Sequence, residues 1–373
     1  MKLPLNGAID CDAHMSVPNV AALLPFMSDY WRDQIVNRYI DRSGFNLMSY
    51  PPRSPFTVRD DWRPKPGATT ADTDGLEDLR RNLLDPFRLS TAICHTLHGS
   101  IALFNEDMGA EFCKAVNSWV ARERLDREPR LRASILVHAQ NPALAVEEIE
   151  RCAEDSRFVA VLLPVMGDNP LGRRIYWPIY EACERHGLSL AVHAGSTYRH
   201  APTASGWTSF QSEDYVLQSS AFENLIVSFL AEGVFQKFQD LKLVCMESGF
   251  TWLPTLIWRS SKTWRGVRTE VPWLDRVPSE IIRERIRLTL QPVDAPRDPK
   301  ILNRILEQIA SDDMLLFSTD YPHSQFDGED VLPDGLSDDL IRKIAIDNPL
   351  AAFPRLASAY AGKSEQNRQE TVQ

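Results

Sequence analysis

Short apolar runs alternate with longer stretches of helical period along most of the chain. The apolar runs fall at 9–14, 91–97, 131–137, 158–165, 188–192, 241–246, 286–290 and 314–318. Stretches of helical period follow most of them, at 75–84, 106–124, 143–154, 175–186, 219–238, 254–264, 299–310 and 336–353. In the second stretch Ala110, Phe112, Val116, Trp119 and Val120 recur along one helical face. Gly187 is placed to cap the helix before it. Strands apolar on both faces belong to a parallel sheet covered by helices. Eight such units predict an α/β fold, a closed (β/α)8 TIM barrel. An open doubly wound sheet is the rival, but no Gly-rich phosphate fingerprint follows any of the runs. The run at 91–97 is the weakest of the eight.

The pattern breaks after the first strand. Pro51, Pro52, Pro55, Pro64 and Pro66 crowd an insertion over 41–75, beside Tyr50, Arg53, Trp62 and Arg63. Long irregular insertions are usually functional; a lid over a site and a surface arm for subunit contact both fit. The polar tail over 362–373 is expected to be disordered, leaving one domain over 1–361.

Composition narrows the classes. The chain has 373 residues, 43% hydrophobic and 25% charged, which is ordinary for a globular protein. Its net charge of -10 argues against a nucleic-acid or anionic-membrane binder. No apolar run approaches the ~20 residues of a membrane span, and no apolar core follows Met1-Lys2-Leu3-Pro4. The six cysteines are scattered, without a Cys-x-x-Cys pair. A cytoplasmic protein acting on a small molecule is the expectation.

Candidate chemistry begins in the first strand, Ile9-Asp10-Cys11-Asp12-Ala13-His14. Period-2 alternation puts Asp10, Asp12 and His14 on one face. Three buried polar groups are costly unless something binds them, and a divalent cation takes both carboxylate and imidazole. A solvated turn is the competing reading. Polar residues then recur at later strand ends: His193 on the fifth, Glu247 on the sixth, Gln291 on the seventh, Asp320 and His323 on the eighth. In a (β/α)8 barrel those ends meet at the active-site face, so the recurrence favours a metal site.

Four segments carry a family likeness: Asp10-Cys11-Asp12-Ala13-His14; Ala191-Val192-His193-Ala194-Gly195; Ser318-Thr319-Asp320-Tyr321-Pro322-His323; and Asp347-Asn348-Pro349 with Ala351-Ala352-Phe353. Together, over about 8–355, they resemble the amidohydrolase superfamily, in the branch of aminocarboxymuconate-semialdehyde decarboxylase. The resemblance implies one divalent metal on Asp12, His14, His193 and Asp320. Two carboxylates with two imidazoles suit Zn²⁺ and tolerate Mn²⁺. It departs twice. Asp12 stands where a His is usual. Glu247 stands where the decarboxylases carry a proton-handling His, a task Glu can perform if burial raises its pKa.

The implied reaction is decarboxylation of a conjugated or aromatic carboxylate, with Glu247, Asp320 and His323 as catalytic residues. Metal-dependent hydrolysis of an amide, ester or C–C bond ranks second, and a ligand-binding barrel without turnover third. For substrate contact, Trp252 could stack on a ring; Arg53, Arg63, Arg199 and Arg259 could pair with a carboxylate; His200 and Gln291 are further candidates. Structural packing is the leading reading of His95 and His98, a helix-end role that of His186, and His138 is open. Members of the family commonly form dimers, so a homodimer is expected.

Overall fold

The computed structural model of the protein describes residues 5–42, 75–197, 201, 205–323 and 331–358. Nearly all of the Pro-rich insertion, Arg53, Arg63, Arg199, His200 and the polar tail lie outside the described residues.

Eight strands form one sheet: β1 (Ile9–His14), β2 (Thr91–His95), β3 (Leu131–Leu136), β4 (Phe158–Met166), β5 (Ser189–Ser196), β6 (Leu243–Met246), β7 (Ile286–Thr289) and β8 (Leu315–Leu316). Each pairs in parallel with the next, in sequence order. The seam between β8 and β1 is joined by the Ala13–Tyr321 bridge. Cys11 N donates to Phe317 O (2.9 Å), Asp320 N to Asp12 O (2.9 Å) and His14 N to Tyr321 O (2.7 Å). The result is the (β/α)8 barrel that the alternation predicts. Every residue of β1, β2 and β3 is buried, as a barrel wall covered by helices requires.

Capping sets where several helices start. Asn105 accepts from Met108 N at the head of α3 (Glu106–Val120), preceded in the chain by α1 (Asp29–Asn37) and α2 (Gly75–Leu79). Asn141 does the same for α4 (Pro142–Ala153), where Pro142 fills the first-turn position that needs no donor. Asn117 then ties three layers together. Its Nδ2 donates to Leu136 O (2.9 Å) and Glu148 Oε1 (2.6 Å), while Oδ1 accepts from Leu136 N (2.9 Å). Buried Phe229 and Phe222 pack from α6 (Gln211–Glu232), and Tyr180 from α5 (Trp177–Arg185). Burying each such ring contributes roughly 2–3 kcal/mol.

The structure departs from the pattern in local ways. The helix expected over 219–238 starts at Gln211 and breaks at Gly233, after which a short α7 (Val234–Lys237) follows. Gly233 has φ +75°, and a Cβ there would meet Trp273 at 2.7 Å. After α8 (Leu253–Val267) comes α9 (Pro278–Arg285), which has no counterpart among the predicted elements. Its apolar signal is only Ile281 and Ile282 among charged neighbours. Then come α10 (Pro299–Ile309) and, where one helix is expected over 336–353, a continuous helical run over 338–352: α11 (Asp338–Arg342), a wider π-helical stretch over Lys343–Asp347 and α12 (Asn348–Ala352). Among the described residues no helix is long and apolar enough to cross a membrane.

Candidate metal centre

Four side chains from three strand ends converge on one point: Asp12 and His14 of β1, His193 of β5, and Asp320 just past β8. One ligand atom from each lies within 4.8 Å of all the others, and all four residues are buried. His14 Nε2 stands 3.4 Å from Asp12 Oδ1 and 3.1 Å from Asp320 Oδ1; His193 Nε2 stands 3.7 Å from Asp12 Oδ1.

Hydrogen bonds on the far side of each ring fix the tautomers. His14 Nδ1 faces the carbonyl of His95 at 3.2 Å, and His193 Nδ1 faces that of Ala194 at 2.7 Å. A carbonyl only accepts, so both Nδ1 atoms carry the proton, and in the neutral rings both Nε2 lone pairs point at carboxylates. Lone pair against carboxylate is repulsive unless a cation lies between. Both Oδ atoms of Asp12, Oδ2 of Asp320 and Nε2 of His193 are buried without a hydrogen-bond partner. Orphaned buried acceptors aimed at one another fit a divalent cation.

Electrostatics agree. Burial pushes the Asp12 carboxyl well above its usual range, and the Asp320 and Asp10 charges add to the shift. Burial does the same to Glu247, helped by Asp320 and Asp12. Burial lowers both His14 and His193. Only Asp320 is held low: burial opposes this, but the His323 charge leads the effects that outweigh it. Carboxylates this close cannot all ionise without added positive charge.

Glu247, Asp320 and His323 form an adjoining group that shares Asp320. His323 Nδ1 donates to Asp320 Oδ1 at 2.7 Å, and its ring stacks on His14 at 4.4 Å between centroids. Glu247 Oε2 lies 3.7 Å from His193 Nδ1. Glu247 and Asp320 are both left-handed, with φ of +57° and +55°. Such strain in non-glycine residues persists only where surrounding bonds impose it. For Glu247 one of these is its N–H to Thr289 Oγ1, 2.9 Å.

Other residues singled out in the sequence are not members of the converging ligand set. Asp10 does not join the cluster as strict alternation predicts. The β1–β2 register slips by one residue between Asp10 and Ala13, and the Asp10 carboxylate accepts instead from Thr319 N (3.1 Å) and Thr319 Oγ1 (2.6 Å). Gln291 is buried, with its amide on Val331 O and Val293 N. Trp252 donates from Nε1 to Ser248 O (2.8 Å) and packs on the core. Arg259 is exposed on α8. His98 caps a short turn by accepting from Ser100 N. His138 donates to Leu103 O (2.9 Å) against Gly109, and His186 pairs with Glu150 (2.6 Å). Thr289 was not singled out in the sequence, and Thr319 entered only as part of the eighth-strand segment; their places beside strand-end acids were the available signal.

A family model described as Amidohydrolase matches residues 9–355. A γ-resorcylate decarboxylase of Polaromonas sp. (strain JS666 / ATCC BAA-500) is 25% identical over 268 residues, covering 68% of this chain and 78% of that protein. An amidohydrolase from Mycobacterium avium subsp. paratuberculosis K-10 superposes with a TM-score of 0.68 at 22% identity, covering 94% of this chain and 97% of the other. A dihydroxybenzoic acid decarboxylase of Polaromonas sp. JS666, crystallised with manganese and the inhibitor 2-nitroresorcinol, gives a TM-score of 0.62 at 19% identity. It covers 94% and 97% of the two chains.

Proposed function

The chain belongs to the amidohydrolase family, and from that premise we propose that it is a metal-dependent decarboxylase of an aromatic or conjugated carboxylate. The observation that carries this reading is the convergence of the unpartnered ligand atoms of Asp12, His193 and Asp320 with His14 Nε2. The γ-resorcylate decarboxylase relative supports the reaction class.

Asp12, His14, His193 and Asp320 would hold one divalent ion. Mn²⁺ is favoured over Zn²⁺ by the two carboxylates in the set and by the manganese in the related decarboxylase. When bound, the ion supplies Lewis-acid stabilisation of negative charge developing on the substrate. The protein's own groups do the rest. As the bond to the carboxylate breaks, CO₂ leaves and its electron pair stays on the ring carbon, which must take up one proton. Glu247, raised by burial, holds a proton beside His193. Asp320 and His323 complete the proton-handling group, their mutual hydrogen bond fixing both side chains. Trp252, Gln291, Arg53, Arg199 and His200 remain the proposed substrate contacts.

The working form is proposed to be a homodimer in the cytoplasm. Trp207, Phe210 and Val216 are 63%, 72% and 75% exposed around the start of α6, an apolar surface of the kind association covers. All six cysteines are free and buried, as a reducing compartment permits. Light scattering at micromolar concentration that finds a monomer removes the dimer.

The test is turnover of γ-resorcylate and related hydroxybenzoates by Mn²⁺-loaded protein in ¹⁸O-water. Release of one CO₂ per ring, with a solvent proton and no ¹⁸O in the ring product, abolished by chelation, supports decarboxylation. The Glu247 substitution favours hydrolysis as the second reading, and ¹⁸O incorporated into the organic product of an amide or ester substrate would support it instead.

A further inference from the structure

β1 reaches the metal centre through a bulge. Asp10 pairs with Ala92 and Ala13 with Cys94, so β1 takes three steps where β2 takes two. An extra residue re-aims the side chains beside it and takes backbone groups out of the ladder. Here side chains take up those groups. Asp12 N donates to Asp10 Oδ1 at 3.1 Å, and Cys11 O accepts from His95 Nε2 at 3.0 Å.

Each of these residues also reaches a second ligand, Asp10 through its side chain and His95 through its backbone. Asp10 holds both donors of Thr319, the residue before Asp320. His95 presents its own carbonyl to His14 Nδ1, while Ser134 Oγ, 2.9 Å from His95 Nδ1, fixes its tautomer. Both side chains are completely buried, and neither belongs to the converging ligand set. A carboxylate and an imidazole are expensive in a barrel interior when apolar residues would pack there.

Resting on the metal-centre reading, we propose that Asp10 and His95 are positioning residues: they bond across the β1 bulge and hold Asp12, His14 and Asp320 in the geometry that receives the cation. Outer partners of this kind are typically worth 10–100-fold in metal affinity.

The hydrogen-bond inventory separates positioning from bulk. In Asp10→Asn the amide oxygen still accepts from both backbone donors, and its NH₂ can donate to the Thr319 hydroxyl. In His95→Gln the amide can still donate to Cys11 O. Asp10→Ala and His95→Leu lose these bonds. The test titrates chelated full-length protein with Mn²⁺ and follows the electron paramagnetic resonance signal of the free ion. Expected are about 10–100-fold weaker binding in Asp10→Ala and His95→Leu, and near wild-type binding in Asp10→Asn and His95→Gln. If circular dichroism shows that the truncations do not fold, Thr319→Val and Ser134→Ala carry the test. Ser134→Ala removes the bond to His95, and Thr319→Val removes the bond to Asp10 together with the one the hydroxyl accepts from Tyr321 N; each should weaken binding several-fold. Wild-type affinity in the folded variants, beside a wild type that binds one Mn²⁺, overturns this inference alone. A wild type that binds none overturns the metal-centre reading beneath it.

Discussion

His193 Nε2 faces Asp12 Oδ1 across 3.7 Å, and neither atom has a hydrogen-bond partner. The gap is too long for a hydrogen bond. Two ligands each ~2 Å from one tetrahedral ion stand ~3.3 Å apart. The pair is spaced for a shared cation, and the two residues come from positions 181 apart on β1 and β5.

Replacing His193 or Asp320 by Ala should therefore strip the metal. Elemental analysis of each purified variant is expected to find well under stoichiometric metal, with affinity down at least a hundredfold. Stoichiometric metal in both would refute the ligand set.

Glu247→Gln separates binding from chemistry. Glu247 is outside the four-ligand set but 3.7 Å from His193 Nδ1. The variant should keep its metal and lose about 10²–10⁴ in kcat, the usual worth of a positioned proton donor. Unchanged turnover would remove Glu247 from proton handling.

Stability should fall with acid in a defined window. Burial lowers His98 to about 4, from an ordinary value of 6.5. Above pH 6.5 the ring is neutral in both folded and unfolded chains and costs nothing. Between 6.5 and about 4 the unfolded chain takes a proton that the native ring refuses, so stability falls as pH falls, by up to about 3 kcal/mol. Urea unfolding of chelated protein at pH 7 and 4.5 should show the loss, and His98→Asn should reduce it. Equal losses in both proteins would contradict the assignment.

Two helical glycines should respond to Ala with opposite signs. Ala normally favours a helix over Gly by up to ~1 kcal/mol. Around Gly266 in α8 nothing lies near the added methyl, so that substitution should raise the melting temperature slightly. At Gly109 in α3 the methyl would strike the buried ring of His138. Overpacking of this kind costs about 1–3 kcal/mol, lowering the melting temperature by a few degrees. Thermal denaturation of both variants decides it.

The residues that carried the sequence reading were polar ones at the ends of apolar strands. His193, Glu247, Asp320 and His323 stand out there because a buried strand has little other use for them. Asp10 misled because period-2 alternation does not register a one-residue bulge; that slip depends on how β2 pairs, which is a long-range fact. His95 looked like core packing since its partners, Cys11 O and Ser134 Oγ, are far off in sequence. The eighth strand shrank to Leu315–Leu316 because much of that seam is joined by Asp10 and loop backbone. α9 escaped notice because only Ile281 and Ile282 mark its buried side among Arg and Glu.

Diffraction from a Mn²⁺-soaked crystal, recorded on both sides of the manganese absorption edge, tests the central claim most directly. One strong anomalous peak roughly 2.2 Å from ligand atoms of Asp12, His14, His193 and Asp320 is the predicted result. Fully active crystals with no peak among those four side chains, or with the ion bound elsewhere, would contradict it.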